Sequence, residues 1–215
     1  MAFSSEVDAG SREENASALG TRRVAKEECA LTQAITSTDT SRNLLTGAAG
    51  GIVSGILTPL LPALIDHIVG LPGQLRISLI AVPFAVLVFI LVQRFSANPL
   101  WAAMLAAVVT MIAFVCAVNA AIFIEGQTTG AATVMRYLLA GLTGGLVGTA
   151  VMALGIGLLP SGPRAAAAWW SMLITGTLIG TLLALDNALG LDRTSFLYPV
   201  WQAGVAVRLV MVLRS

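Results

Sequence analysis

Arg208, Gln202, Asp66 and His67 are the side chains of this 215-residue chain whose type and setting suit them to chemistry. Arg208 falls inside an apolar stretch running from about Phe196 to Leu213. A cation within a membrane helix is a functional candidate because it needs a partner or water at that depth. Its more frequent role, this close to the end of the stretch, is an anchor whose guanidinium extends to the headgroups. Trp201 and Gly204 precede it by seven and four residues on the same helix face, leaving room for the side chain to bend. Gln202 is the second polar group of the stretch, and the pair would point polar heads into a central cavity. Asp66 and His67 form the only adjacent acid and imidazole. Neighbouring helix positions do not face each other, so a proton relay there requires irregular backbone; the plainer reading is a solvated helix end. Glu125 with Asn119, and Asp186 with Asn187, are read as rim groups of the same kind.

Other chemistries find no support in the sequence. There is no GxSxG, HExxH or SxxK, so no catalytic role is expected. The glycine-rich GAAGGIVSG lacks the lysine of a phosphate-binding loop. His67 is the sole histidine, and Cys29 and Cys116 are the only cysteines, so neither a metal centre nor another cofactor is expected. A net charge of +1 with no basic cluster gives a nucleic acid nothing to bind.

What must position these residues is a set of membrane helices. The chain is 57% hydrophobic and 11% charged, with a mean hydropathy of +0.87, more apolar surface than a soluble domain of this length can bury. A span needs about 20 apolar residues, so the gaps between charges locate the spans. Arg42 to Asp66 encloses 23 uncharged residues, Arg76 to Arg94 17, Arg94 to Glu125 30, Arg136 to Arg164 27 and Arg164 to Asp186 21. With the Phe196–Leu213 stretch, this predicts an all-α integral membrane protein of about six transmembrane helices.

Residues 1–42 carry five basic and seven acidic groups and no apolar run. They read as a polar cytoplasmic tail, disordered or weakly helical, and the first span is expected to act as its own insertion signal. Thr36 to Ser41 supplies N-cap oxygens just before that span. An inside N-terminus puts Arg42, Arg94, Arg164 and Arg214 on the cytoplasmic side, with Arg208 extending the same way, and Arg76, Arg136 and Arg193 outside. Both termini are therefore expected in the cytoplasm. One lysine against eleven arginines, with the alanine and glycine load, points to a GC-rich bacterial genome and a plasma (inner) membrane location.

The chain also repeats itself. Residues 42–53, RNLLTGAAGGIV, and 136–147, RYLLAGLTGGLV, agree at seven of twelve positions. Leu60-Leu61-Pro62 recurs as Leu158-Leu159-Pro160, and PLWAAMLA from Pro99 as PVWQAGVA from Pro199. Three landmarks in the same order suggest two three-helix repeats, 43–125 and 136–215. An odd number of spans per repeat makes the second copy inverted.

Gly47, Gly50, Gly51 and Gly55 in the first span, Gly141, Gly144, Gly145 and Gly148 in the fourth, and Gly176 and Gly180 in the fifth lie at three- and four-residue spacings. Such faces let backbones approach closely in lipid, and the first and fourth spans are expected to cross at the bundle centre. Pro59, Pro62, Pro160 and Pro163 should kink or end their spans, leaving 58–73 as a re-entrant or interfacial segment. Pro99 and Pro199 suit helix starts, with Trp101 and Trp201 as interface anchors. Two functions fit: a small transporter or channel with its pathway at the repeat interface, acting on a solute the residues do not identify; and a non-catalytic scaffold or subunit of a membrane complex. The expected partners are the bilayer, further copies of the chain or other membrane subunits.

Overall fold

The computed structural model describes residues 39–65, 73–163, 166–191 and 195–214. The chain divides into the units Met1–Asn43 and Leu44–Ser215. Of the first, residues 39–43 are described, and they are helical. Asp66 and His67 lie outside the described residues, as do most of the tail, Arg164 and Arg193.

Among the described residues every regular element is helical. They are α1 (Asp39–Leu60), α2 (Leu61–Ile65), α3 (Gly73–Ile80), α4 (Val82–Phe95), α5 (Leu100–Gln127), α6 (Thr133–Gly157), α7 (Ala166–Gly180), α8 (Leu182–Ala188) and α9 (Leu197–Leu213). Four helical segments are long and apolar enough to cross a membrane: α1, α5, α6 and the continuous stretch Ala167–Ala188 formed by α7 and α8. The bent pair α3 and α4 makes a fifth if it counts as one span. α9 is apolar but has 17 residues, about 26 Å of helix.

Local sequence explains the element ends. Pro59 turns the last residues of α1 into a 3₁₀ turn, Thr58–Leu60, before α2 begins. Pro99, in extended backbone, is the N-cap of α5, and α6 stops at Gly157, ahead of Pro160 and Pro163. At Asp39 the chain is already helical, so Thr40 and Ser41 lie inside α1 rather than capping it. The expected second span is not the straight helix that its uncharged run suggests: α3 and α4 meet at 51°. Pro83, in the first turn of α4, has no N–H to offer the carbonyl four residues back, and its ring crowds that turn. Ala81 N–H instead donates to Ser78 C=O at 3.1 Å, a three-residue reach.

α6 is the most enclosed long helix, with half of its most apolar 18-residue stretch buried, against 11% for α5. It packs on α5, α7 and α8, while α9 packs on α4, α7 and α8. The core runs through Val88, Leu91, Ala103, Ala106, Met152, Ile156, Met172, Val205 and Leu209.

Candidate functional site

The glycine faces decide which helices touch. On α1 a Cβ at Gly51 would overlap the backbone of Ala203, and one at Gly55 the backbone of Pro199, both on α9. Gly47 stands over Val210 and Ala206 of α9, and Gly50 faces Leu87 of α4. On α6, Gly141 and Gly145 meet the carbonyls of Gly180 and Gly176, so α6 and α7 share one glycine seam. Gly144 and Gly148 turn to Ala117 of α5. The expected crossing of the first and fourth spans through their glycines therefore does not occur. Each face takes a different neighbour because α9 offers Ala203, Ala206 and Pro199 to α1, and α7 offers Gly176 and Gly180 to α6.

Gln202 lies in the α1–α9 seam and is 1% exposed. Its Nε2 donates to Thr58 Oγ1 at 2.8 Å, and its Oε1 accepts from Ser54 Oγ at 2.7 Å. Thr58 Oγ1 in turn donates to Ser54 C=O. The amide thus ties two helices together instead of facing a cavity, which corrects the expectation. With backbone against backbone on either side, the amide has no open space to reach. Its counterpart Ala102 is buried but apolar.

Arg208 donates from Nε to Thr175 Oγ1 of α7 at 3.1 Å, and its Nη1 lies 3.8 Å from Met211 Sδ, one turn nearer the helix end. The space over Gly204 is filled by Ile179 and Thr175, not by the arginine. Arg208 and Gln202 therefore make separate contacts, one with α7 and the other with α1. Trp101 is exposed. Trp201 is not: its Nε1 donates to Gly176 C=O at 3.2 Å and its ring meets Phe84 edge-on at 5.7 Å.

The open space lies elsewhere. A cleft of about 260 Å³ runs between α5, α6, α8 and α9, walled by Phe114, Ala117, Ala121 and Trp201 among others. Its polar lining includes Glu125, Tyr137 and Tyr198, the Tyr198 ring lying 6.2 Å from that of Phe114. Glu125 stands 3.7 Å from Arg136 Nη2, and the Arg136 guanidinium lies 5.0 Å over the Tyr137 ring. Its Nη2 is 3.4 Å from the Tyr137 hydroxyl.

Asp186 does more than the rim role expected of it. It is 6% exposed and accepts from Phe196 N–H at 3.0 Å, from Leu197 N–H at 3.1 Å and from Ser195 Oγ. An acid of α8 thus satisfies the donors that open α9, where negative charge is favoured. No local cap signal reveals this, since acceptor and donors are ten residues apart. Gln74 of α3 and Asn119 of α5 exchange amide hydrogen bonds at 3.1 and 3.4 Å; Gln74 carries no motif that singles it out. Among the described residues no His, Cys, Asp and Glu cluster suits a metal.

Comparison of the chain with protein-family models, with curated proteins and with solved structures finds no match.

Proposed function

We propose that the chain is a six-span bacterial inner-membrane protein of two inverted three-helix repeats, both termini cytoplasmic, that passes a small solute through the cleft at the repeat interface. The observation that carries this is the position of the cleft, between α5 of the first repeat and α6, α8 and α9 of the second. Gly141, Gly144 and Gly145 of α6 are among the residues that line this cleft, whereas the glycine face of α1 is filled by α9 and α4.

Two further observations support the repeat. The first span of each repeat lies on the third span of the other: α1 on α9 and α6 on α5. The second span of each is interrupted, at Ala81 and at Thr181, by an N–H donating three residues back, to Ser78 and to Leu178. The two breaks are 100 residues apart, the same shift as Pro99 and Pro199.

The test has two arms. Reporter fusions after residues 20 and 215 should report the cytoplasm and a fusion after residue 130 the outside; an outside C-terminus rejects the six-span fold. Ala117→Cys and Ala121→Cys, each in a chain lacking Cys29 and Cys116, should react with a membrane-impermeant maleimide from the residue-130 side. If neither reacts from either side, the cleft is no aqueous pathway and the transport reading falls. The scaffold reading, which draws on the closed α1–α9 seam and the buried Gln202 amide, then takes its place.

A further inference from the structure

We propose that the solute of the cleft is a small quaternary ammonium compound, drawn in past Glu125 at one end and held at the other by the rings of Phe114, Tyr198 and Trp201. The inference rests on the reading of this cleft as a solute pathway and names the class of solute.

Charge comes first. Among the residues lining the cleft, Glu125 alone is charged, and it stands near the turn between α5 and α6. Arg136 is not part of the lining. It comes within 3.7 Å of Glu125 Oε1, longer than the 2.7–3.2 Å or so of a hydrogen bond. The Glu125 side chain is 37% exposed, and an ion pair in such a setting is weak. The carboxylate therefore stays open to a second cation, whereas an anion entering the cleft meets a like charge.

The remaining wall decides which cation. Both tyrosines of the chain line the cleft together with Phe114 and Trp201, although aromatic residues make up only 6% of the sequence. The Arg136 guanidinium already lies over the Tyr137 ring, so the rings left for a solute are those at the far end. There the Phe114 and Tyr198 rings stand 6.2 Å apart, inclined at 35°. Trp201 follows Tyr198 by one turn of α9, and its N–H is taken by Gly176 C=O. Ring faces attract a cation without demanding a hydrogen bond. An inorganic ion needs a shell of oxygens in place of its water, and a primary ammonium brings three N–H donors that need acceptors. Glu125 and two phenols are too few for either. A methylated ammonium has no donor to satisfy and is weakly hydrated, and recognition by aromatic walls is its usual mode. The volume of about 260 Å³ lies just below the range of about 300–1,000 Å³ for small-molecule sites, which limits the solute to a small one.

The experiment uses the Ala121→Cys chain lacking Cys29 and Cys116, in proteoliposomes, and follows its maleimide labelling. Three probes of one shape are compared: choline, the uncharged 3,3-dimethylbutan-1-ol and the anion 3,3-dimethylbutanoate. Choline should halve the labelling rate at a concentration about fivefold below that of the alcohol, and the anion should protect least. Glu125→Gln and Phe114→Leu should each narrow the gap between choline and the alcohol to about twofold. Gly126→Cys, on an exposed residue outside the lining, should not be protected. Labelling that choline does not slow, or slows no better than the alcohol does, overturns the proposal and leaves the aqueous pathway standing. If the cysteine at 121 does not react from either side, the pathway reading falls on that result. Equilibrium dialysis of radiolabelled choline against the unaltered protein then decides the cation separately: retention that Glu125→Gln weakens supports it, and no retention overturns it.

Discussion

Ser54 and Gln202, 148 residues apart in sequence, meet at 2.7 Å inside the seam between α1 and α9. With lipid outside, apolar surface offers no net drive for one helix to leave the bilayer for another. Association here depends on close backbone approach and on hydrogen bonds such as this one.

The coupling between these two residues is measurable. Gln202→Leu and Ser54→Ala should each destabilise the folded protein in detergent, and their double-mutant cycle should return an interaction energy of about 0.6–1.7 kcal/mol. A coupling near zero by reversible unfolding would mean that the amide only fills space.

Glycine substitutions should divide sharply by what each Cβ meets. Gly51→Ala and Gly55→Ala, which force a methyl into the backbone of α9, should cost about 1–3 kcal/mol. Gly126→Ala, where nothing stands within 4 Å, should be neutral or stabilise by about 0.5–1 kcal/mol by favouring the helix. Thermal unfolding in one detergent ranks all three.

Removing the Asp186 carboxylate strands the donors that begin α9. Asp186→Ala is expected to lose about 1–3 kcal/mol, with faster hydrogen exchange at the amides of Phe196 and Leu197. Asp186→Asn, which keeps one acceptor oxygen, should lose less. Equal exchange in all three proteins would refute the capping role.

Arg208→Ala removes a hydrogen bond to Thr175 at 3.1 Å from a side chain that is only partly buried. Stability should fall by no more than about 1 kcal/mol. On the proposed transport reading, solute flux through proteoliposomes should persist, since Arg208 is not among the residues lining the cleft; abolished flux would return the arginine to the pathway.

Pro83→Ala restores the missing donor at the bend. Spin labels at Arg76→Cys and Arg94→Cys, in a chain without its own cysteines, should move apart by about 2 Å as α3 and α4 straighten. An unchanged distance would assign the bend to packing instead of to proline.

The helical character and most span positions are legible in the sequence, because charge spacing and proline respond to the bilayer directly. Pro99 and Pro160 mark helix ends as their chemistry dictates. What was not legible is which face meets which. Gly51 and Gly145 look alike as residues, yet one meets Ala203 and the other Gly176, since a small-residue face says only that something comes near. Trp201 reads as an anchor until Gly176 C=O takes its N–H. Asp186 reads as a rim acid because its partners are amides, which every residue carries and no sequence distinguishes. Pro83 was legible in principle: a proline within a long uncharged run marks a break.

That break also sets a length. α3 and α4 hold 8 and 14 residues, about 12 and 21 Å. Joined at 51°, they reach about 30 Å end to end, the thickness of the hydrocarbon layer. Straightened, the pair would overshoot by about 3 Å and have to tilt, thicken the lipid around it or expose apolar side chains to water. If the pair crosses as one span, Pro83 gauges it to the membrane, and the mutation that unbends it should also shift the bilayer thickness at which the protein is most stable.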